Sequence, residues 1–402
     1  MLKKLQVPRV MLILVVGSFV NSVGTSFLWP LNSLFMHDIL GRSLTEAGLV
    51  IALQSGANMA GQLVSGFLAD RFGPKKIMVA GLLLAGATVS TIGFFPVWRV
   101  YGPGIIFLGL TLSMIFVPLN ALVTILWPEG GRKGYNYIYV ASNAGVAVGT
   151  ALGGIVAQVS FRWVFWGNAA TYLVYLTVIL IGLPWDARSR RSLAGTKKPK
   201  GKVTLTEAGF RPLLAVGGGI FLVWSAYIQW TTVLPVGMKQ RGFSLPSYSL
   251  LWTLNGVLIV TLQPLINWII RSWAHTFRRQ FYLACILISS SFVILQGHLP
   301  YGALVLAMLV LTLGEMLILP AVPAVAAHLA PQGKEGAYQG VVAGAASAGR
   351  MLGPFLGGMV FDSSGDSWVW LMAIGFMAAA FGVFAIYGRI EKRSAPADGL
   401  SM

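Results

Sequence analysis

Charge is what this sequence is short of. Lys, Arg, Asp and Glu make up 10% of its 402 residues, against about 25% in an ordinary soluble domain, and a chain so poor in charge cannot clothe a water-facing surface. Acids are scarcer still, 12 against 29 bases. The one cysteine, Cys285, excludes an intrachain disulfide, and its apolar neighbours mark it as a packing or lipid-facing residue rather than a reactive thiol. The four histidines (His37, His275, His298 and His328) are scattered over loops and run ends, and neither a GK[ST] phosphate loop nor HExxH occurs. These absences argue against an enzyme, a metal site and an ATP-driven machine. No cofactor is expected, and any work the protein does draws on an ion gradient, the proton gradient first.

What the chain has in abundance is apolar residues: 56% of the total, with 48 glycines and 13 tryptophans and a mean hydropathy of +0.75. Apolar runs of about 20 residues, the length that crosses a bilayer, number twelve, from 10–36 to 368–388. With the N-terminus inside, 23 of the 29 basic residues fall in inner segments, and only Arg42, Arg99, Arg162, Lys239 and Arg241 fall outside. This bias predicts that both termini are cytoplasmic, and the expected location is the inner (plasma) membrane of a bacterium. The net charge of +17 is then a consequence of topology, and no nucleic-acid partner is expected. The opening MLKKLQVPR leads into an apolar run that continues to Trp29 without a small-residue cleavage site, as an uncleaved first helix would.

The longest hydrophilic stretch, WDARSRRSLAGTKKPKGKVTLTEAG (185–209), divides the spans six and six. The expected organisation is a six-helix bundle over 1–184, a cytoplasmic linker over 185–208 and a second six-helix bundle over 209–402. A repeat supports the division: GVAVGTALGG (145–154) aligns with GRMLGPFLGG (349–358), so Gly145, Gly149, Gly153 and Gly154 lie over Gly349, Gly353, Gly357 and Gly358. Such stripes let helices approach closely, and sliding contact between the halves is one expected use.

Duplicated halves are one arrangement of secondary transporters, and GFLADRFGPKK (66–76) between the second and third spans adds a motif. It matches, without a miss, the loop signature Gly, three residues, Asp, Arg, one residue, Gly, one residue, two basic residues. On these residues the chain resembles the major facilitator superfamily over nearly its whole length. The resemblance implies an all-α polytopic membrane protein of twelve transmembrane helices in two pseudo-symmetric six-helix bundles, with a cargo site between them. It also implies a cytoplasmic gating loop carried by Gly66, Asp70, Arg71, Gly73, Lys75 and Lys76. In this loop Gly66 is expected to allow close helix contact, Gly73 the turn, and Asp70 a bond to the cytoplasmic face. The glycine repeat resembles that of the antiporter branch, with Pro354 kept in the second copy and Thr150 in place of the first-copy proline; the fourth span lacks the arginine usual in that branch.

Two charges stand inside the apolar runs. Glu315 lies about 13 residues into the tenth span and Arg350 about 13 into the eleventh. The two helices run oppositely, so the charges share a depth near the midplane, where an ionisable residue marks function by default. A direct or water-bridged pair is expected, with Glu315 binding and releasing protons as Arg350 approaches and withdraws. Gln54, Asn58 and Gln62 recur every fourth residue, one polar stripe on one helix face. They are expected as interhelical or gating contacts, with Arg350 able to reach Gln54 or Asn58, and Asn143 is expected to face Asn255. Asn21, Thr25, Ser113, Asn120, Trp224 and Tyr227 complete the cavity candidates. An aromatic, mainly apolar cavity with one acid suits lipophilic or amphipathic cations. The function expected is therefore proton-coupled export of such small molecules by a monomer in the lipid bilayer; a lipid or glycolipid flippase of the same fold, or a nutrient facilitator or symporter, is the alternative.

Overall fold

The computed structural model describes residues 7–127, 132–183, 209–297, 300–331 and 335–394; the expected linker, 185–208, lies outside the described residues. Among them the chain forms twelve long helical elements. These are α1 (Arg9–Ile39), α2 (Leu44–Phe72), α3 (Pro74–Phe94), α4 (Trp98–Leu126), α5 (Arg132–Val159), α6 (Phe161–Gly182), α7 (Phe210–Gln240), α8 (Leu245–Thr261 and Gln263–Ser272), α9 (Phe277–Ile294), α10 (Tyr301–Leu329), α11 (Glu335–Ser364) and α12 (Asp366–Ser394). Nine are long and apolar enough to cross a bilayer as they stand, and α8 makes a tenth if its bent pieces count as one. The other two, α2 and α11, have the length, 29 and 30 residues, but carry the amide stripe and Arg350 among many small residues.

Local chemistry sets the boundaries. Ser43 accepts from the Glu46 backbone N–H while Glu46 accepts from that of Ser43, a capping box that starts α2. Gly73, at φ +96°, turns α2 into α3, a conformation glycine adopts at no steric cost. The run 247–268, continuous by hydropathy, breaks in the structure: α8 bends by 56° around Leu262. Pro264 has no N–H to give the preceding turn, and its ring crowds the carbonyl four residues back.

By its contacts the chain forms two compact units. The first comprises Met1–Thr196 with Thr231–Gly256, the second Lys197–Trp230 with Val257–Met402, so residues 231–256 group with the first half of the chain rather than with 209–402. Inside the first unit these residues are tied down by Ser33 Oγ donating to the Thr231 carbonyl (2.9 Å), an ion pair between Lys239 and Asp38 (2.6 Å), the Trp29–Trp252 ring contact (5.0 Å) and the Thr150–Thr253 hydroxyl pair (3.2 Å).

The sequence repeat is also a packing repeat. In the first unit α1 packs on α5 and α6, and α3 on α4 and α6; in the second α7 packs on α11 and α12, and α9 on α10 and α12. Large apolar side chains such as Leu63, Val159 and Ile181, each more than three-quarters exposed, face outward as a lipid-facing surface requires. Cys285 is buried, 2% exposed, as a packing residue.

Candidate functional site

The glycine stripes make the close contacts on which each unit is built. On α5, a Cβ at Gly145 would lie 2.5 Å from the Phe19 carbonyl oxygen, at Gly149 2.8 Å from Val23 Cα and at Gly153 2.9 Å from Phe27 Cα. On α11, a Cβ at Gly349 would lie 2.9 Å from Trp224 Cβ and at Gly353 2.9 Å from the Ser225 carbonyl; Gly357 lies against the Gln229 amide. Six of the eight repeat glycines thus serve contact with the first helix of their own half, α1 or α7, rather than the contact between halves expected for them. Gly154 differs and meets Ser249 of α8 inside the first unit. Gly358 and Pro354 are buried in α11.

In the second unit the α7–α11 contact brings the midspan charges onto one aromatic pair. Tyr227 donates its hydroxyl to Glu315 Oε2 at 2.9 Å. Trp224, three residues earlier, meets the Tyr227 ring edge-on at 5.2 Å, and the Arg350 guanidinium lies over the Trp224 ring, 4.6 Å from its centre. Arg350 also donates to Ser347 Oγ at 2.8 Å. Arg350 therefore makes no ion pair among the described residues. Of the direct or water-bridged pair expected with Glu315, the direct form is not made; acid, phenol, indole and guanidinium form a chain, in which a cation–π contact and one hydroxyl satisfy the cation. Gln229, buried beside it, donates to the carbonyls of Ser225 (2.9 Å) and Gly353 (2.8 Å) and cross-ties α7 to α11.

The first unit holds a cavity of about 370 Å³ lined by Ser18, Asn21, Ser22, Asn58, Gln62, Leu112, Ser113, Ile115, Phe116, Leu119, Ile138 and Ser142. Four predicted residues meet there, from α1, α2 and α4. Asn58 Nδ2 donates to the Gly109 carbonyl (2.9 Å) and Gln62 Nε2 to Asn58 Oδ1 (2.9 Å), while Ser113 pairs with Ser65 (2.9 Å). Asn21 Oδ1 is buried without a hydrogen-bond partner, an acceptor left over for whatever fills the space, since an unmet buried carbonyl costs ~1–3 kcal/mol. The lining carries no charge.

Other predicted residues do not join it. Thr25 bonds back to the Asn21 carbonyl (3.0 Å), Asn120 to that of Phe116 (3.1 Å) and Asn143 to that of Tyr139 (2.8 Å). Asn143 thus makes no bond to Asn255, which is buried in α8; the α5–α8 contact runs instead through Thr253 Oγ1, donating to the Ala147 carbonyl at 3.2 Å, and through Thr150. Gln54 backs onto α4, its backbone carbonyl against Gly109. In the 66–76 loop the Asp70 side chain lies outside the described residues. Arg71 stacks on Phe72, and Lys76 is exposed. A Cβ on Gly66 would meet nothing within 4 Å, so the close approach expected there is not made. Lys75 is buried, 2% exposed, and donates to the carbonyls of Leu180 (3.2 Å) and Leu183 (2.5 Å) at the end of α6, a tie that the loop motif does not signal.

Membrane-length helices in two like-packed sets, with a polar cavity in one unit and an acid held in mid-span in the other, define an integral membrane transporter. The chain belongs to the Major Facilitator Superfamily, whose family model matches residues 14–342 and 272–400. It is 43% identical over 361 residues to the uncharacterized MFS-type transporter YttB of Bacillus subtilis (strain 168), covering 89% of this chain and 90% of the relative. It is 24% identical over 384 residues to the multidrug resistance protein MdtH of Enterobacter sp. (strain 638), covering 90% and 91%. A crystal structure of a POT family transporter in complex with 5-aminolevulinic acid superposes with a TM-score of 0.79, covering 97% of both chains at 14% identity, a likeness of fold alone.

Proposed function

We propose that the protein is a proton-coupled exporter of lipophilic or amphipathic cationic small molecules, working by alternating access in a bacterial inner membrane with both termini in the cytoplasm. The observation that carries this reading is Glu315, an acid in the middle of an apolar helix whose carboxylate takes a hydrogen bond from Tyr227. A carboxyl in that setting binds or releases a proton according to what stands beside it. A cationic cargo competes with the proton for the same negative charge, which couples the two flows. Trp224 and Tyr227 supply π faces for a lipophilic cation, and the uncharged cavity around Asn21 and Asn58 supplies hydrogen bonds that do not select for charge. The similarity to MdtH, a multidrug resistance protein by name, points the same way.

The test is transport in proteoliposomes with and without an imposed pH gradient, following a lipophilic cationic dye in parallel with a fluorescent phospholipid. Gradient-driven dye movement with the lipid stationary is the expected outcome. Lipid translocation without dye movement, or dye flux indifferent to the gradient, would overturn the reading.

A further inference from the structure

A second feature of the first unit lies at the α5–α6 corner, at the end of the spans opposite the basic loops. A cavity of about 460 Å³ there is lined by Gln158, Ser160, Arg162 and Lys239 together with Phe35, Ile39 and other apolar residues. Beside it, sharing Val159, runs an apolar groove of about 430 Å³ along α6, floored by Phe27 and Gly167 and flanked by Trp163, Trp166 and Ala170. Val159 and Trp163 are 78% and 61% exposed, so the groove opens sideways, toward lipid. Lys239 is held by Asp38 at 2.6 Å, with His37 4.0 Å from the same carboxylate. The Arg162 guanidinium makes no ion pair among the described residues, so the polar end carries one uncompensated positive charge.

We propose that this corner binds one anionic phospholipid, its phosphodiester against Arg162 and Lys239 and one acyl chain along the groove. The single negative charge of a phosphatidylglycerol headgroup matches the single surplus cation. A zwitterionic headgroup would bring its own ammonium against Arg162. The amide of Gln158 and hydroxyl of Ser160 add donors for the remaining phosphate oxygens. A free phosphate would leave the groove empty, and an apolar cargo would leave the cation unmatched; a phospholipid satisfies both parts. The leaflet is the outer one if the orientation proposed above holds; the binding itself does not depend on it.

Native mass spectrometry of the full chain, released from detergent after exposure to equimolar long-chain phosphatidylglycerol and phosphatidylcholine, tests the site. A basic residue near the membrane surface contributes about a five-fold preference for anionic lipid. We expect one phosphatidylglycerol retained with at least that preference, the preference lost in Arg162→Gln, and the lipid itself lost in Ala170→Trp, which fills the groove from an exposed position. Circular dichroism of both variants confirms that they fold. A preference that survives Arg162→Gln would belong to the basic loops and overturn the proposal. Equal retention of the two lipids, or displacement of the long-chain lipid by inorganic phosphate at matching concentration, would overturn it too.

Discussion

Tyr227 and Trp224 decide how the two midspan charges are accommodated. Depth was legible in the sequence, because counting residues along two antiparallel helices places Glu315 and Arg350 at one level. Partnership was not, because depth leaves the rotation of each helix free, and α10 is apolar on nearly every side. The structure places α7 against both α10 and α11, so an aromatic pair from a third helix links the two groups for which a direct or water-bridged pair was expected. A charge-assisted hydrogen bond contributes ~1.5–3 kcal/mol. Tyr227→Phe is therefore expected to slow pH-gradient-driven transport about tenfold, with a lower melting temperature but a folded protein; unchanged transport would remove Tyr227 from the account. Lys75 makes a prediction about stability instead. The motif signals a basic residue but not that its ammonium turns inward to close the end of α6. Lys75→Met should destabilise by ~1.5–3 kcal/mol, read as a lower melting temperature, whereas Lys76→Met, at an exposed position, should change nothing.

At the scale of elements, the helices and their number followed from the hydropathy runs, since a segment in lipid has to satisfy its own backbone hydrogen bonds. The exceptions have local causes. Pro264 breaks α8 within a run that hydropathy reads as continuous, and the ladder of Gln54, Asn58 and Gln62 faces α4 and a cavity inside one unit. The glycine repeat showed that α5 and α11 are counterparts but not which surface they address; close packing on α1 and α7 answers that, because only a missing Cβ admits a neighbouring backbone at under 3 Å. Two glycines of α11 separate packing from composition. Gly353→Ala would press a methyl against Ser225 and Ile228 and should cost ~1–3 kcal/mol. Gly344→Ala, whose methyl meets nothing within 4 Å, should be neutral or stabilise by ~0.5–1 kcal/mol. Thermal unfolding of the two variants side by side checks this, and equal melting temperatures would contradict it.

For the whole molecule, the duplication was legible twice, in the glycine register and in the hydrophilic stretch that separates six spans from six. The sequence suggested one contact of residues 231–256 with the first half of the chain, Asn143 facing Asn255, but not that the whole segment packs there. The contacts responsible, Lys239–Asp38, Ser33–Thr231, Thr150–Thr253 and Trp29–Trp252, join residues about a hundred to two hundred positions apart, beyond any periodicity. Among the charges set within the apolar helices, the reading of function turns on one, the Glu315 carboxylate, as the group that exchanges a proton for cargo. The most direct measurement is the pH inside proteoliposomes, followed with a trapped indicator while a lipophilic cation is added outside with no gradient imposed. The wild-type protein should move protons against the cation as it enters, and Glu315→Gln should move none although it folds. Proton movement of equal size in Glu315→Gln would contradict the account.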